Sequence, residues 1–324
     1  MSHPDPMAHP DPMAHPDPSQ LGAWLARQLA EPGPLALAGL EAVGGGCIHR
    51  AWRLELADGR RFFLKGHRPA ALPMLEAEAD GLQALAACCA PPLVVPKPLG
   101  VGEVAGWALL LLPWLNLATG GSRGQTSATQ WQALGAALAD LHRTSGTGRL
   151  PAARAGHYGW PTDNFIGATP QLNHWRSSWA DFFVQCRLAP QLALLERGGQ
   201  PLRRAEAALE QAKRLLASHQ PQPALVHGDL WSGNGALLAE GGGTIFDPAV
   251  SMGDREVDLA MARLFGGFPE AFFRGYQERW PLDPGAEQRV DLYNLYHLLN
   301  HANLFGGSYL SQAQASLDWL VESP

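Results

Sequence analysis

Hydrophobic positions change rhythm about a third of the way along the chain. As far as Leu115 they fall in short alternating runs, which predict strands, with one helical stretch among them. Residues 51–57 put Trp52, Leu54 and Leu56 on one face, Asp58-Gly59 supplies a tight hairpin turn, and Arg61 to Lys65 returns as the partner strand. After Pro73 the period becomes helical, with Leu75, Leu82, Leu85 and Cys89 on one face. Glu78 shares that apolar face, whereas Glu76 points elsewhere. Trp107 to Leu115 is an apolar run suited to a buried strand and far shorter than the ~20 residues that cross a bilayer. From Asn116 onward helices dominate, Trp131, Leu134, Leu138 and Leu141 marking the clearest, interrupted by strand-like runs at 224–226 and 244–246. The expected architecture is α+β, with a small antiparallel-sheet lobe over 21–115 and a larger helical lobe over 116–324. The cleft between two such lobes is the expected place for a site.

Composition narrows the classes. The 324 residues are 46% hydrophobic and 17% charged, with a formal net charge of −6, which supports a packed core and disfavours a nucleic-acid partner. Of 24 basic residues only Lys65, Lys97 and Lys213 are lysine, so each lysine invites a reason. Cys47, Cys88, Cys89 and Cys186 form no CxxC pair or zinc-ligand spacing, which fits a reducing cytoplasm. Neither a membrane segment nor a secretory signal is expected. Residues 1–18 repeat MSHPDP, MAHPDP, MAHPDP, and their prolines forbid helix and sheet. Residues 1–20 are therefore read as a disordered tail rather than a histidine-rich metal arm.

Chemistry concentrates in residues 225–234, LVHGDLWSGN, where Asp229 and Asn234 show the D-x-x-x-x-N spacing of a phosphotransfer loop after a short strand. Asp247 follows the next short strand, where such enzymes hold the carboxylate that bridges Mg²⁺ to phosphates. Gly44, Gly45 and Gly46 precede the first hairpin strand and can cradle phosphates with backbone N–H groups, although His49 replaces the third glycine of G-x-G-x-x-G. Lys65 ends the second hairpin strand within reach of phosphates. An inward Glu78 is costly unless partnered, which predicts a Lys65–Glu78 pair. Pro113 can offer adenine only a carbonyl, so Leu115 is the expected N–H donor at a hinge.

The order of glycine turn, lysine, glutamate, HGD…N and aspartate is that of the protein-kinase-like phosphotransferases. In detail the chain closely resembles the fructosamine kinase (ketosamine-3-kinase) family, from about Gly44 to Leu310. The segments that carry the resemblance include LEAEADGL, LGAALADLHR, YGWPTDNFIGATPQLNHWRSSWADFF, LVHGDLWSGN, FDPAVSMGDREVDLAMARLFGGF and LYHLLNHANLFG. The resemblance implies a two-lobed protein-kinase-like fold and ATP-dependent phosphorylation of O-3 on a ketosamine, with Mg²⁺. The acceptors it implies are glycated small amines or glycated protein lysines, and release of the 3-phosphate then frees the amine. By matching position, Asp229 is the catalytic base, Asn234 and Asp247 are metal ligands, and Lys65 with Glu78 anchors phosphate. Trp231, Asn173, Trp175 and Trp179 fall where acceptor contacts are expected. Where the family often has Tyr-Tyr-Gly-His, this chain has Ser251-Met252-Gly253-Asp254, which bears on acceptor preference.

Cys47, in the glycine turn, is a candidate redox switch able to convert a monomer into a disulfide dimer; a small residue in a tight turn is the plainer reading. His297 and His301, spaced i,i+4, read as a polar network in a helical core, and Arg255, Glu256 and Asp258 as an ion-pair cluster behind the catalytic loop. A same-fold kinase acting on an aminoglycoside or another small hydroxyl compound is the alternative, and an inactive scaffold is the less favoured one.

Overall fold

Alternation along residues 37–67 folds into three antiparallel strands, β1 (Leu37–Ala42), β2 (Arg50–Leu56) and β3 (Arg61–His67). The structure, a computed structural model, describes residues 15–44, 50–118, 125–146 and 150–322. Its contacts form two compact units, one made of residues up to Gln83 with Pro96–Asn116, the other of Ala84–Val95 with Leu117 onward.

In the first unit, α1 (Pro18–Gln28) begins three residues earlier than the expected lobe. Asp17 causes this: its carboxylate accepts from the Ser19 and Gln20 N–H groups at 3.1 and 3.0 Å, and Pro18 suits the first helical position. Residues 17–20 therefore leave the predicted tail. The side chains of α1 (Leu21, Trp24, Leu25) pack with Trp52, Leu54, Leu56 and Leu64 from the sheet. After β3 comes α2 (Leu72–Cys88), in which Leu75, Leu82 and Leu85 are buried with Glu78, while Glu76 is exposed. Cys88 rather than Cys89 is the buried thiol, because the helix ends at Cys88 and Cys89 lies beyond its last turn.

The next strand, β4 (Leu93–Val94), leaves this sheet, and β5 (Gly100–Val104) and β6 (Trp107–Pro113) complete it in the order β1-β2-β3-β6-β5. Both faces of β6 are covered, Trp107 to Leu112 being buried throughout, which is why its sequence reads as an unbroken apolar run.

The second unit continues with α3 (Gln125–Thr144), the hairpin β7 (Asn164–Ile166) and β8 (Thr169–Gln171), then α4 (Trp179–Phe183), α5 (Ala189–Arg197) and α6 (Ala205–Leu216). Four short strands follow: β9 (Ala224–Val226), β10 (Gly235–Leu237), β11 (Gly243–Ile245) and β12 (Ser251–Gly253). The chain ends in α7 (Glu256–Leu264), α8 (Glu270–Arg279), α9 (Ala286–Phe305) and α10 (Ser308–Glu322). Pairing of β4 with β11 draws residues 84–95 into this unit, so the first lobe is not the continuous 21–115 stretch that local patterning suggests. The main core gathers α4, α6, α9 and α10 around Phe182, Phe183, Tyr293 and Leu317.

Candidate active site

Strand β3 and helix α2 bring Lys65 and Glu78 together, as the inward placement of Glu78 demands. The Lys65 ammonium lies 2.9 Å from both carboxylate oxygens, and the residues are only 5% and 8% exposed. Burial makes either charge alone expensive, so each residue needs the other. Gly44 is exposed in the connection from β1 to β2; Gly45, Gly46 and Cys47 lie outside the described residues. Pro113 ends β6 opposite Phe62, and Leu115 follows it, half-buried.

The loop from β9 to β10 carries Asp229 and Asn234. Two pairings shape it: β9 with β12, and β10 with β11 in a hairpin that sets Gly235 opposite Ile245. The register places Asn234 beside Phe246, whose N–H donates to the Asn234 carbonyl at 3.0 Å, and so brings Asp247 to the same place. Gly228, next to Asp229, has φ +81, and a Cβ there would stand 2.1 Å from the Ala249 carbonyl oxygen, so only glycine fits. Asp247 itself adopts φ +58, a left-handed conformation rare for a residue with a side chain and concentrated at functional sites.

The Asn234 side-chain amide donates to the Asp229 carbonyl oxygen at 2.9 Å and to the Asp229 carboxylate at 3.1 Å. Burial, and then the negative charge of Asp247, push the Asp229 carboxyl up to about 7. Two carboxylates and an amide oxygen form a hard, all-oxygen donor set, and the repulsion between the carboxylates is what a divalent cation relieves. The residues therefore fit Mg²⁺.

Behind the loop, Asp258 from the first turn of α7 accepts from the His227 N–H at 2.7 Å and the Gly228 N–H at 2.8 Å. Burial raises its carboxyl, but hydrogen bonding and charge from His142, with help from His227 and Gly228, outweigh burial and hold it below the usual range. His142 bridges Asp258, 3.1 Å away, to the Tyr276 hydroxyl, 2.8 Å away. The His227 ring lies 2.9 Å from the Phe246 carbonyl oxygen, tying the Asp229–Asn234 loop to the segment that bears Asp247. The pattern signalled His142 without its role being read: it lies four residues after Leu138, inward on an otherwise apolar helix face.

Other predicted residues have different places. Trp231 is 36% exposed, two residues after Asp229 in the same loop. Trp179 is buried core, its indole donating to the Tyr293 hydroxyl at 3.0 Å. Asn173 is buried too, donating to Asn164 and accepting from Arg187 at 2.9 Å; Trp179 lines a small internal cavity with Arg187, Gly228 and Ser251. Trp175 is half-buried beneath the Arg154 guanidinium, 5.2 Å from its ring centre. Glu256 pairs with Arg289 at 2.7 Å, but Arg255 donates to the Trp280 and Pro281 carbonyls and so is not part of an ion-pair cluster. His297 and His301 lie on α9, and their polar link runs through the backbone rather than from ring to ring. The His301 ring hydrogen-bonds to the His297 backbone carbonyl, at 2.8 Å, and the buried His297 Nδ1 has no hydrogen-bond partner among the described residues, burial taking that ring down to about 3. Arg187, which the sequence did not single out, is a buried cation held by Leu172 and Cys186 carbonyls, Asn173 and Ser251.

Comparison with known proteins identifies the family and the fold. The family model described as fructosamine kinase matches residues 23–323. A Synechocystis protein carrying the name probable ketoamine kinase is 46% identical over 285 residues, 88% of this chain and 90% of its own length. A crystal structure from Haemophilus somnus 129PT, bearing a provisional fructosamine-3-kinase name, superposes with a TM-score of 0.80 at 27% identity, covering 93% of this chain and 99% of that one. A macrolide 2'-phosphotransferase from Brachybacterium faecium shares the fold at 19% identity, with a TM-score of 0.57 over 91% of this chain and 97% of its own.

Proposed function

The chain belongs to the fructosamine kinase family, and from that premise we propose that it moves the γ-phosphoryl group of ATP to O-3 of a ketosamine. Such acceptors arise when a sugar reacts with a protein lysine or a small amine. In the proposed step the 3-hydroxyl oxygen bonds to the γ-phosphorus, the bond to ADP breaks, and the hydroxyl proton passes to the Asp229 carboxylate. The resulting 3-phosphate is a leaving group: with loss of a C1 proton it departs to leave an imine, and water hydrolyses that imine to free the amine.

The observation that carries this reading is the convergence of Asp229, Asn234 and Asp247 on one hydrogen-bonded loop pair. Asp229 has a carboxyl whose proton affinity sits near neutrality, where a general base is most effective. Asn234 fixes that carboxylate through its amide N–H. Asp258 holds the two preceding backbone N–H groups, so the base is positioned before substrate arrives. Mg²⁺, held by Asp247 and the amide oxygen of Asn234, supplies charge neutralisation at the phosphates when bound. Lys65, fixed by Glu78, is assigned the α/β-phosphates, the glycine turn the phosphate oxygens, and the Pro113 carbonyl and Leu115 N–H the adenine. The free thiols of Cys88, Cys89 and Cys186 accord with a reducing, cytoplasmic setting.

The test is ADP release from ATP and Mg²⁺ with ribulosyl-lysine, fructosyl-lysine, an aminoglycoside and choline. Turnover of a ketosamine that Asp229→Asn abolishes is expected. Turnover of the aminoglycoside or choline alone would replace the acceptor, and binding of ATP with no turnover at all would favour a scaffold.

A further inference from the structure

Large apolar side chains are rarely left in contiguous contact with solvent without a use. Among the described residues six stand out as exposed, and three of them, Trp231 (36%), Phe265 (38%) and Phe305 (51%), belong to one continuous run of rings. Trp231 meets Phe265 edge-on at 6.4 Å, Phe265 meets the His301 ring at 4.9 Å, and His301 meets Phe305 at 5.6 Å and Tyr309 at 4.9 Å. The run starts two residues after Asp229 and leads away from it over the ends of α7, α9 and α10.

Its attachment to the catalytic loop is built in. Phe265 follows α7 and enters a Gly266-Gly267 turn with φ +70 and +98. A Cβ on Gly267 would stand 2.2 Å from that of Ser232, so glycine alone lets the turn seat against the loop that bears Trp231. The His301 ring is fixed through its bond to the His297 carbonyl, and burial holds it below its usual proton affinity, so the middle of the strip presents a neutral ring.

We propose that this strip receives the amine half of the acceptor, and that the acceptor it fits is a glycated lysine side chain in a peptide. The inference rests on the ketosamine-kinase reading. A ketosamine nitrogen is a secondary ammonium, and ring faces attract such cations more strongly as they lose water. With the sugar at Asp229, that nitrogen falls at Trp231 and Phe265. The four-carbon lysine stem and adjoining backbone then lie over His301, Phe305 and Tyr309, an apolar track that a small amine would leave uncovered.

The experiment compares a ribulosyl-lysine peptide with ribulosyl-methylamine in wild type, Phe265→Ala and the highly exposed Phe305→Ala. Both variants are expected to raise KM for the peptide about fivefold, the size of a lost ring–cation or apolar contact, with kcat and KM for ATP unchanged. For ribulosyl-methylamine, Phe305→Ala is expected to change nothing. Equal effects of Phe305→Ala on both acceptors, or no effect of either variant on the peptide, would overturn the proposal. So would a concentration-dependent dimer that Phe305→Ala dissolves with kinetics intact, since the strip would then serve a second copy of the chain. Calorimetry with a sugar-free Nε-isopropyl-lysyl peptide separates this inference from the kinase reading. Binding that both variants weaken supports the strip even if no ketosamine is phosphorylated, and equal or absent binding overturns it even if ketosamines are turned over.

Discussion

The buried Lys65–Glu78 pair and the half-buried Asp229–Asp247 pair are electrostatic opposites. In the first, an ammonium sits 2.9 Å from both carboxylate oxygens and the charges cancel. In the second, burial and the charge of Asp247 raise the cost of ionising Asp229, and the neutral amide of Asn234 relieves it only in part. One pair is complete in the protein by itself; the other is completed by what binds to it. Under the proposed function, that difference separates a phosphate anchor, which has to hold its shape before ATP arrives, from a reaction centre, whose uncompensated repulsion favours a cation and a proton acceptor in the same place.

The contrast predicts opposite penalties. Replacing Asp229 with Asn is expected to lower kcat by about 10²- to 10⁴-fold, measured as ADP release, because the general base is gone while the loop geometry stays. Glu78→Ala is expected to cost about 3–5 kcal/mol in urea unfolding, since it strands a buried ammonium. The double variant Lys65→Met, Glu78→Met sharpens the point: stability is expected to return without recovery of ATP binding. A fall in stability with the double variant as large as with Glu78→Ala would show that packing, not charge, dominates there. Asp258→Asn is expected to cost about 1.5–3 kcal/mol, the range for hydrogen bonds to a charged acceptor, and to lower kcat more than it raises KM for ATP.

Much of this layout could be read from the chain alone, for reasons that differ by element. The β2–β3 hairpin is local: its alternation and its Asp58-Gly59 turn lie within the strands they join. Glu78 was legible because a carboxylate on an apolar helix face needs a partner. Asp229, Asn234 and Asp247 were legible as a spacing on short strands. Long-range pairing was not. Nothing near residues 84–95 announces that β4 will join β11 in the other unit. Trp179 and Asn173 carry side chains that suit a binding surface as well as a core, and only the packing of α4 against Tyr293 and the Arg187 network decides for the interior. The aromatic strip was hidden for the same reason, its members coming from four separate segments that meet only in the folded unit.

The remaining predicted effect is the most pointed. Asp229 has its proton affinity raised from 3.8 to about 7 in the folded protein, so its protonated form is the one the fold favours. The associated stability is fully present below pH 3.8 and is lost as pH rises through about 7. Asp229→Asn cannot ionise and escapes that loss. Urea unfolding of wild type and Asp229→Asn in chelator, at pH 5 and pH 8.5, reads this directly. The expected result is an inactive variant that gains stability relative to wild type on going from pH 5 to pH 8.5. A difference between the two proteins that does not change with pH, or a variant that becomes relatively weaker at pH 8.5, would contradict the repulsion at the heart of the site.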